Sequence, residues 1–200
     1  MNINFRLATP NDAAAAVPLI YSSGPAAFDF IFSPKLKQAL EFLQYTFKDG
    51  NGEFGYKYHV VGEVDGNVVA VGTAFDGNAT LKYFLAMGRQ IASFYGLAAF
   101  SVIPRGLQVE SIIQPPKGRL HYIAHLGVDA SMQGKGIGSK LVEYLMEQGR
   151  KDGKTQTALD VSVLNPRAQA LYERLGFKQT GYRESTLAGV PSHNRLERAL

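Results

Sequence analysis

Two hundred residues, 46% hydrophobic and 19% charged, suffice for one domain with a sizeable core. A formal net charge of +4 suits an anionic ligand, but no dense Lys/Arg stripe appears, which argues against a nucleic-acid partner. The chain has no cysteine, so disulfides, thiolate metal sites and Cys-linked covalent intermediates are excluded, and no metal centre is expected. Met1–Arg6 lacks a signal-like apolar region and no apolar run reaches the ~18 residues of a membrane span, which predicts a soluble, cytoplasmic protein with no membrane partner.

Ile3, Phe5 and Leu7 alternate with Asn4 and Arg6 and predict a half-buried strand. Thr9-Pro10-Asn11-Asp12 supplies an N-cap, a first-turn proline and an acid for the positive helix end. The helix runs from Ala13 toward Ile20, with Pro18 expected to kink or end it. After a break at Tyr21–Pro25, Ala26–Phe32 is aromatic and apolar. Ser33-Pro34 repeats the helix start, and Leu36, Ala39, Leu40, Leu43 and Phe47 fall on one helical face. Asp49–Gly52 stops that helix.

Tyr56–Val64 and Val68–Ala74 flank Asp65-Gly66-Asn67, a hairpin signal, and Asp76-Gly77-Asn78 reads as a further turn. Residues 80–118 read as a helical excursion between two sheet strands, serving either as a lid or substrate-side wall or as an extra packing layer or dimer surface. Leu120–Val128 is a strand, Ile137 to about Arg150 a helix and Thr157–Leu164 a strand. Asn165-Pro166 starts a short helix, Arg167–Leu175, and Phe177–Arg183 and Asn194–Leu200 are the last strands. The chain reads as a single domain with a strand, two helices and a hairpin in 1–79, a helical insertion in 80–118 and a core in 119–200.

Between the strand at Val128 and the helix at Ile137 lies Gln133-Gly134-Lys135-Gly136-Ile137-Gly138-Ser139-Lys140. A Gly-rich turn at a helix N-terminus leaves backbone N–H groups free for an anion, above all a phosphate. The spacing is not that of a P-loop, which needs four residues between its first glycine and a Gly-Lys-Ser/Thr. The third glycine also comes one residue too early for a dinucleotide fingerprint. A plain strand-to-helix turn is the remaining alternative.

Leu126-Gly127-Val128-Asp129 followed by Gln133–Leu141, then Leu159-Asp160-Val161 followed by Asn165-Pro166-Arg167-Ala168-Gln169-Ala170-Leu171-Tyr172-Glu173-Arg174-Leu175-Gly176-Phe177, resembles the two central motifs of the GNAT superfamily of acyl-CoA-dependent N-acyltransferases. The match covers roughly residues 120–182. It implies an α/β (α+β) fold: a mixed, mostly antiparallel central sheet flanked by helices. The helical insertion before the cofactor-binding strand departs from that pattern, because members of the superfamily usually join those two strands tightly.

The resemblance implies that acetyl-CoA is the acyl donor and a primary amine of a small molecule, peptide or protein the acceptor. Backbone N–H groups of Gln133, Gly134, Lys135, Gly136, Ile137, Gly138 and Ser139 would hold the pyrophosphate, with Lys135 and Lys140 either adding charge or standing as solvated surface lysines. Leu126, Gly127 and Val128 would pair with the pantetheine arm, the Val128 N–H serving as oxyanion donor. Asn165 matches the asparagine that meets the pantetheine, and an Asn-Pro N-cap accounts for it equally well. Tyr172 matches the tyrosine that protonates the leaving thiolate, against a reading as a packing residue beside Ala168, Leu171 and Leu175.

The base stays open among Asp160, His125, His121 and water. By alternation His121 and His125 share one face, whereas the superfamily's usual base positions fall at Tyr122 and Ala124. Without cysteine, transfer is expected directly from thioester to amine. Phe28–Phe32 and Thr80–Phe100 are the expected acceptor walls. The alternative is a non-catalytic acyl-CoA sensor or interaction module on the same fold, and a homodimer is compatible with either.

Overall fold

The structure, a computed structural model, describes residues 2–33 and 38–200. Seven strands form one sheet in the order β1-β2-β3-β4-β5-β7-β6. They are β1 (Asn4–Leu7), β2 (His59–Val64), β3 (Asn67–Phe75), β4 (His121–Val128), β5 (Gln156–Ser162), β6 (Lys178–Arg183) and β7 (His193–Ala199). Every neighbouring pair is antiparallel except β4–β5. The β2–β3 hairpin closes at Asp65 and Gly66 (φ 50° and 78°), two left-handed residues whose twist suits a two-residue hairpin turn.

Side-chain alternation gives each sheet face its own core. Val61 and Val71 pack under Phe42, Phe47, Ile91 and Val102 on the side of helices α1 (Ala13–Ser22), α2 (Pro25–Phe32), α3 (Ala39–Asp49), α4 (Gly77–Tyr95) and α5 (Ala99–Glu110). Val60, Ala70, Ile123, Leu159 and Leu196 pack against Leu141 and Leu145 of α6 (Ile137–Lys151), with α7 (Pro166–Arg174) beside it. Fully burying a Leu, Ile or Phe side chain contributes roughly 1.5–3 kcal/mol, so these two cores dominate stability.

Several N-terminal expectations change. Leu7 is exposed, while Arg6 on the same strand is half-buried because its guanidinium bridges Asp12 at 2.8 Å and Glu63. Asp12 also accepts from the Thr9 N–H at 2.7 Å and hydroxyl at 2.9 Å, locking the 3-10 turn that enters α1. Pro18 lies inside α1 without ending it. Ala26–Phe32, with Pro25 at its first turn, is a separate helix, so three helices precede the hairpin. Pro34 and Leu36, expected in the next helix, lie outside the described residues. Leu40 is exposed, and Ala39, Phe42, Leu43, Thr46 and Phe47 form the buried face instead.

Asp76-Gly77-Asn78 is a helix start rather than a turn, because the Asp76 carboxylate accepts the Asn78 N–H at 2.9 Å and caps α4. The excursion is helical from Gly77 to Glu110 and turn and coil from there to 118, short of the helical stretch expected over 80–118; it leaves and re-enters the sheet through one neck, where the Gly77 N–H donates to the Gly118 carbonyl at 2.9 Å. Its inner side is tied down: Gln90 donates to Asp49 and the Asn51 carbonyl, and the Tyr95 hydroxyl to the Phe32 carbonyl at 2.6 Å. Its outer side leaves Leu81, Phe84, Leu85, Leu97 and Phe100 exposed. Among the described residues no single helix is long and apolar enough to cross a membrane.

Candidate functional site

The site is an opening in the sheet. β4 and β5 pair only through His121↔Thr157 and Tyr122↔Ala158. β5 pairs with β7 along its other edge throughout, and beyond that point β4 stays bound to β3 alone. The Asp129 N–H donates to the Val69 carbonyl at 2.8 Å on the β3 side. Successive N–H groups of a strand point to opposite sides, so the Val128 N–H is directed into the opening toward β5.

β4 carries a bulge. Val71 pairs with Gly127 and Thr73 with Ala124, so one extra residue of β4 stands opposite Gly72. His125 takes φ 55°, in the left-handed region that non-glycine side chains rarely adopt. The bulge breaks the alternation on which His121 and His125 were expected to share a face. His121 packs against α6 with Nε2 2.9 Å from the Leu145 carbonyl, whereas His125 turns to the opposite face and meets Phe28, Phe54 and His59. Burial lowers the pKa of His121, which fits a neutral ring donating to that carbonyl.

Below the opening, Gly134 (φ 76°) and Gly136 (φ 79°) shape the turn that starts α6. No heavy atom lies within 4 Å of where a Cβ would stand on either, so the space before the helix is open to a ligand. Gly136 is the N-cap and has no side chain to satisfy the first N–H groups of the helix. The residues therefore fit an anionic group such as a pyrophosphate, held by backbone N–H groups at the positive end of a 15-residue helix. Gly138 has another role. A Cβ there would meet Leu171 Cδ1 at 3.2 Å and Val128 Cγ2 at 3.8 Å, so the bare glycine lets α6, α7 and the end of β4 converge. Lys135 and Lys140 are exposed, and Lys135 reaches the Met132 sulfur at 3.4 Å. Gln133 donates through Nε2 to the Val128 carbonyl at 3.2 Å, tying the turn back to β4.

On α7, Asn165 is the N-cap, its side-chain oxygen accepting the Ala168 N–H at 3.1 Å. Tyr172 packs its ring edge-on to Phe177 at 6.1 Å beside the core that includes Leu171 and Val128. Among the described residues none is hydrogen-bonded to its hydroxyl, and burial pushes its pKa up to about 12, so the phenol keeps its proton.

Gly127 sits where α1 crosses β4, and a Cβ there would stand 2.2 Å from the Leu19 carbonyl oxygen. Asp160 is already engaged: its carboxylate accepts from the Tyr122 hydroxyl and from Arg195, each at 2.8 Å, and the guanidinium stacks 4.9 Å from the Tyr122 ring centre. Phe28 and Phe32, expected as acceptor wall, are core residues packed with Phe42 and Phe54, and of the two only Phe28 contacts His125. From the excursion, Tyr83 reaches inward against Tyr58 and Phe75, while Leu81, Phe84, Leu85 and Phe100 face outward. Sequence reasoning missed Glu53, His59 and Arg195, which come from remote segments with no local pattern to mark them. Among the described residues no group of three or more His, Asp or Glu side chains gathers as a metal site.

The sheet is split between its central parallel strands beside an uncapped Gly-rich helix start, and the family that this sequence matches makes that arrangement an acyltransferase's. The chain belongs to the acetyltransferase (GNAT) family, whose model matches residues 26–177. It is 33% identical over 96 residues to N-acetyltransferase 8F1 of Rattus norvegicus, covering 44% of this chain and 43% of that protein. It is 40% identical over 57 residues to N-acetyltransferase 8B of Homo sapiens, covering 28% and 25%. The matched part thus spans less than half of these relatives. An N-acetyltransferase from Staphylococcus aureus Mu50 superposes with a TM-score of 0.72 at 20% identity, over 98% of this chain and 100% of that one. At that identity the likeness concerns the fold.

Proposed function

We propose that this protein transfers an acetyl group from acetyl-CoA to a primary amine of a small molecule or peptide. The observation that carries the reading is the opening itself: β4 leaves β5 after two residue pairs and turns the Val128 N–H into the gap. Acetyl-CoA, when bound, supplies an acetyl group activated as a thioester. The turn from Gln133 to Ser139 holds the pyrophosphate through backbone N–H groups, and the edge of β4 at Leu126–Val128 pairs with the pantetheine arm. Asn165 spends its oxygen on the helix cap, which leaves its Nδ2 hydrogens for the same arm. The Val128 N–H donates to the acetyl carbonyl oxygen, where negative charge develops. Tyr172 packs against the same core as Val128 with an unengaged hydroxyl, and positioned there it would deliver a proton to the departing sulfur.

Asp160 orients Tyr122 and Arg195, and its two strong hydrogen bonds make it a poor free base. His125 is the better candidate, because the bulge brings it to the face opposite α6. The names of the relatives support N-acetyl transfer. The test is release of free CoA thiol from acetyl-CoA over spermidine, tyramine, lysine methyl ester and an alanine-initiated hexapeptide. Tight acetyl-CoA binding without turnover on any amine would establish the sensor alternative instead.

A further inference from the structure

Four segments distant in sequence meet at the β4 bulge in one chain of polar contacts. His59 on β2 is fully buried, and its Nδ1 lies 3.0 Å from the Gly55 carbonyl. A carbonyl only accepts, so the His59 proton sits on Nδ1 and its Nε2 presents a lone pair. Burial, with His125 beside it, holds the His59 pKa down to about 3 and the ring stays neutral. That Nε2 faces His125 Nδ1 at 3.2 Å, so His125 must donate from Nδ1. The free basic atom of His125 is therefore Nε2, and it lies 3.3 Å from a Glu53 carboxylate oxygen.

The arrangement is graded toward solvent. The His59 residue is 0% exposed, and the side chains of His125 and Glu53 are 9% and 35% exposed. The two imidazoles stack at 10°, and Phe54 and Phe28 close on His125 with ring centres 4.9 and 6.2 Å away. Glu53 is the most exposed member of the three. Its charge is felt by Tyr83 of α4, Glu110 of α5 and Tyr122 of β4, each of which burial also holds toward its protonated form. A carboxylate oxygen and an imidazole lone pair that face each other at 3.3 Å are two acceptors that a proton between them would satisfy, and a bound ammonium can supply it. A backbone held at φ 55° in a histidine persists only where surrounding contacts enforce it.

We propose that Glu53 and His125 are the proton acceptor for the amine, with His59 as a positioning residue that fixes the tautomer of His125. This rests on the acyltransfer reading above. Glu53 pairs with the ammonium, one N–H proton passes to its carboxylate oxygen and on to His125 Nε2, and the nitrogen keeps the freed electron pair for attack on the acetyl carbonyl. The products of this step are the neutral amine, the Glu53 carboxylate and the His125 imidazolium, so charge and protons balance. The imidazolium then returns its proton to solvent through Glu53.

The test compares pH profiles of kcat/KM for the most active amine of the panel. His125→Asn keeps a residue type tolerant of the left-handed backbone but removes the base. It should lower kcat/KM about 100-fold near neutrality. The rate should then rise with pH in step with the free amine in solution, and the KM for acetyl-CoA should be unchanged. Glu53→Gln should raise the amine KM at least tenfold. His59→Gln, which can still accept from His125, should retain most activity, whereas His59→Leu should shift the profile. Wild-type profiles in folded His125→Asn and Glu53→Gln would overturn the proposal while leaving acyl transfer intact. Absence of turnover in the wild type would instead count against acyl transfer. Independently of any variant, imidazole nitrogen NMR of the wild-type protein should show neutral His125 protonated at Nδ1, and an Nε2–H tautomer would overturn the assignment.

Discussion

Gly127→Ala gives the sharpest test of how α1 is docked on the cofactor-side strand. An added Cβ would stand 2.2 Å from the Leu19 carbonyl oxygen, 2.7 Å from its carbon and 3.0 Å from its Cα. All three are backbone atoms of a helix, so no side-chain rotation relieves the clash, and α1 must move by about 1 Å to restore ordinary contact. Overpacking of this kind costs about 1–3 kcal/mol, and the rigid partner places it near the upper end. For a domain of this size ~3 kcal/mol lowers Tm by roughly 6–12 °C. Thermal unfolding followed by circular dichroism reads the change. Gly138→Ala is the internal control, since its nearest neighbour at 3.2 Å is the mobile end of the Leu171 side chain, and its shift should be smaller. A Gly127→Ala protein that melts within 2 °C of wild type, or above Gly138→Ala, would refute the reasoning.

Gly136→Asp should weaken CoA binding at least tenfold by calorimetry while the fold survives, because the position is open but the new carboxylate faces the pyrophosphate cradle. Tyr172→Phe should lower kcat about 100-fold with little change in the KM for acetyl-CoA, as expected for a proton donor. Unchanged kcat would return Tyr172 to packing. Asp160→Asn should destabilise the protein by about 3 kcal/mol, because it strips from Arg195 the nearer and more buried of its two carboxylate partners among the described residues, Asp160 at 2.8 Å with a side chain 6% exposed, and leaves it Glu197 at 3.5 Å. Wild-type stability with lost activity would instead mark Asp160 as the base. Asp12 is held at a pKa of about 2, chiefly by its hydrogen bonds to Arg6. A carboxylate depressed in the folded state stabilises above its unfolded pKa, so roughly 2 kcal/mol should be lost as pH falls from about 4 toward 2. Denaturant melts of wild type and Asp12→Asn across that window should converge at the acid end.

Much of the fold is written in local pattern. Asp65-Gly66 fixes its hairpin because only left-handed residues make that turn, and the heptad-like spacing from Ile137 to Met146 fixes α6 and its buried face. The glycine turn, the Asn165 cap and the position of Tyr172 are local too, since each depends on residues only a few positions apart. That is why the turn, the cap and the helix that follows could be read from one stretch of chain.

The acceptor side could not be read that way, because it is assembled from pairings across the sheet. The extra residue in β4 is counted only against β3, so the rotation of His125 away from the face of His121 has no signature in alternation. Glu53 comes from a Gly-rich loop and His59 from the next strand, and they meet His125 only because β2, β3 and β4 lie side by side. Asp160 was a candidate base in sequence, and Arg195, 35 residues away on β7, donates to it. Short-range spacing thus determined the glycine turn, the helix caps and the place of Tyr172 on α7, since hydrogen bonding and periodicity act over a few residues. The meeting of Glu53, His125 and His59 was decided by the tertiary structure, where a bulge and three aligned strands set which side chains share a face.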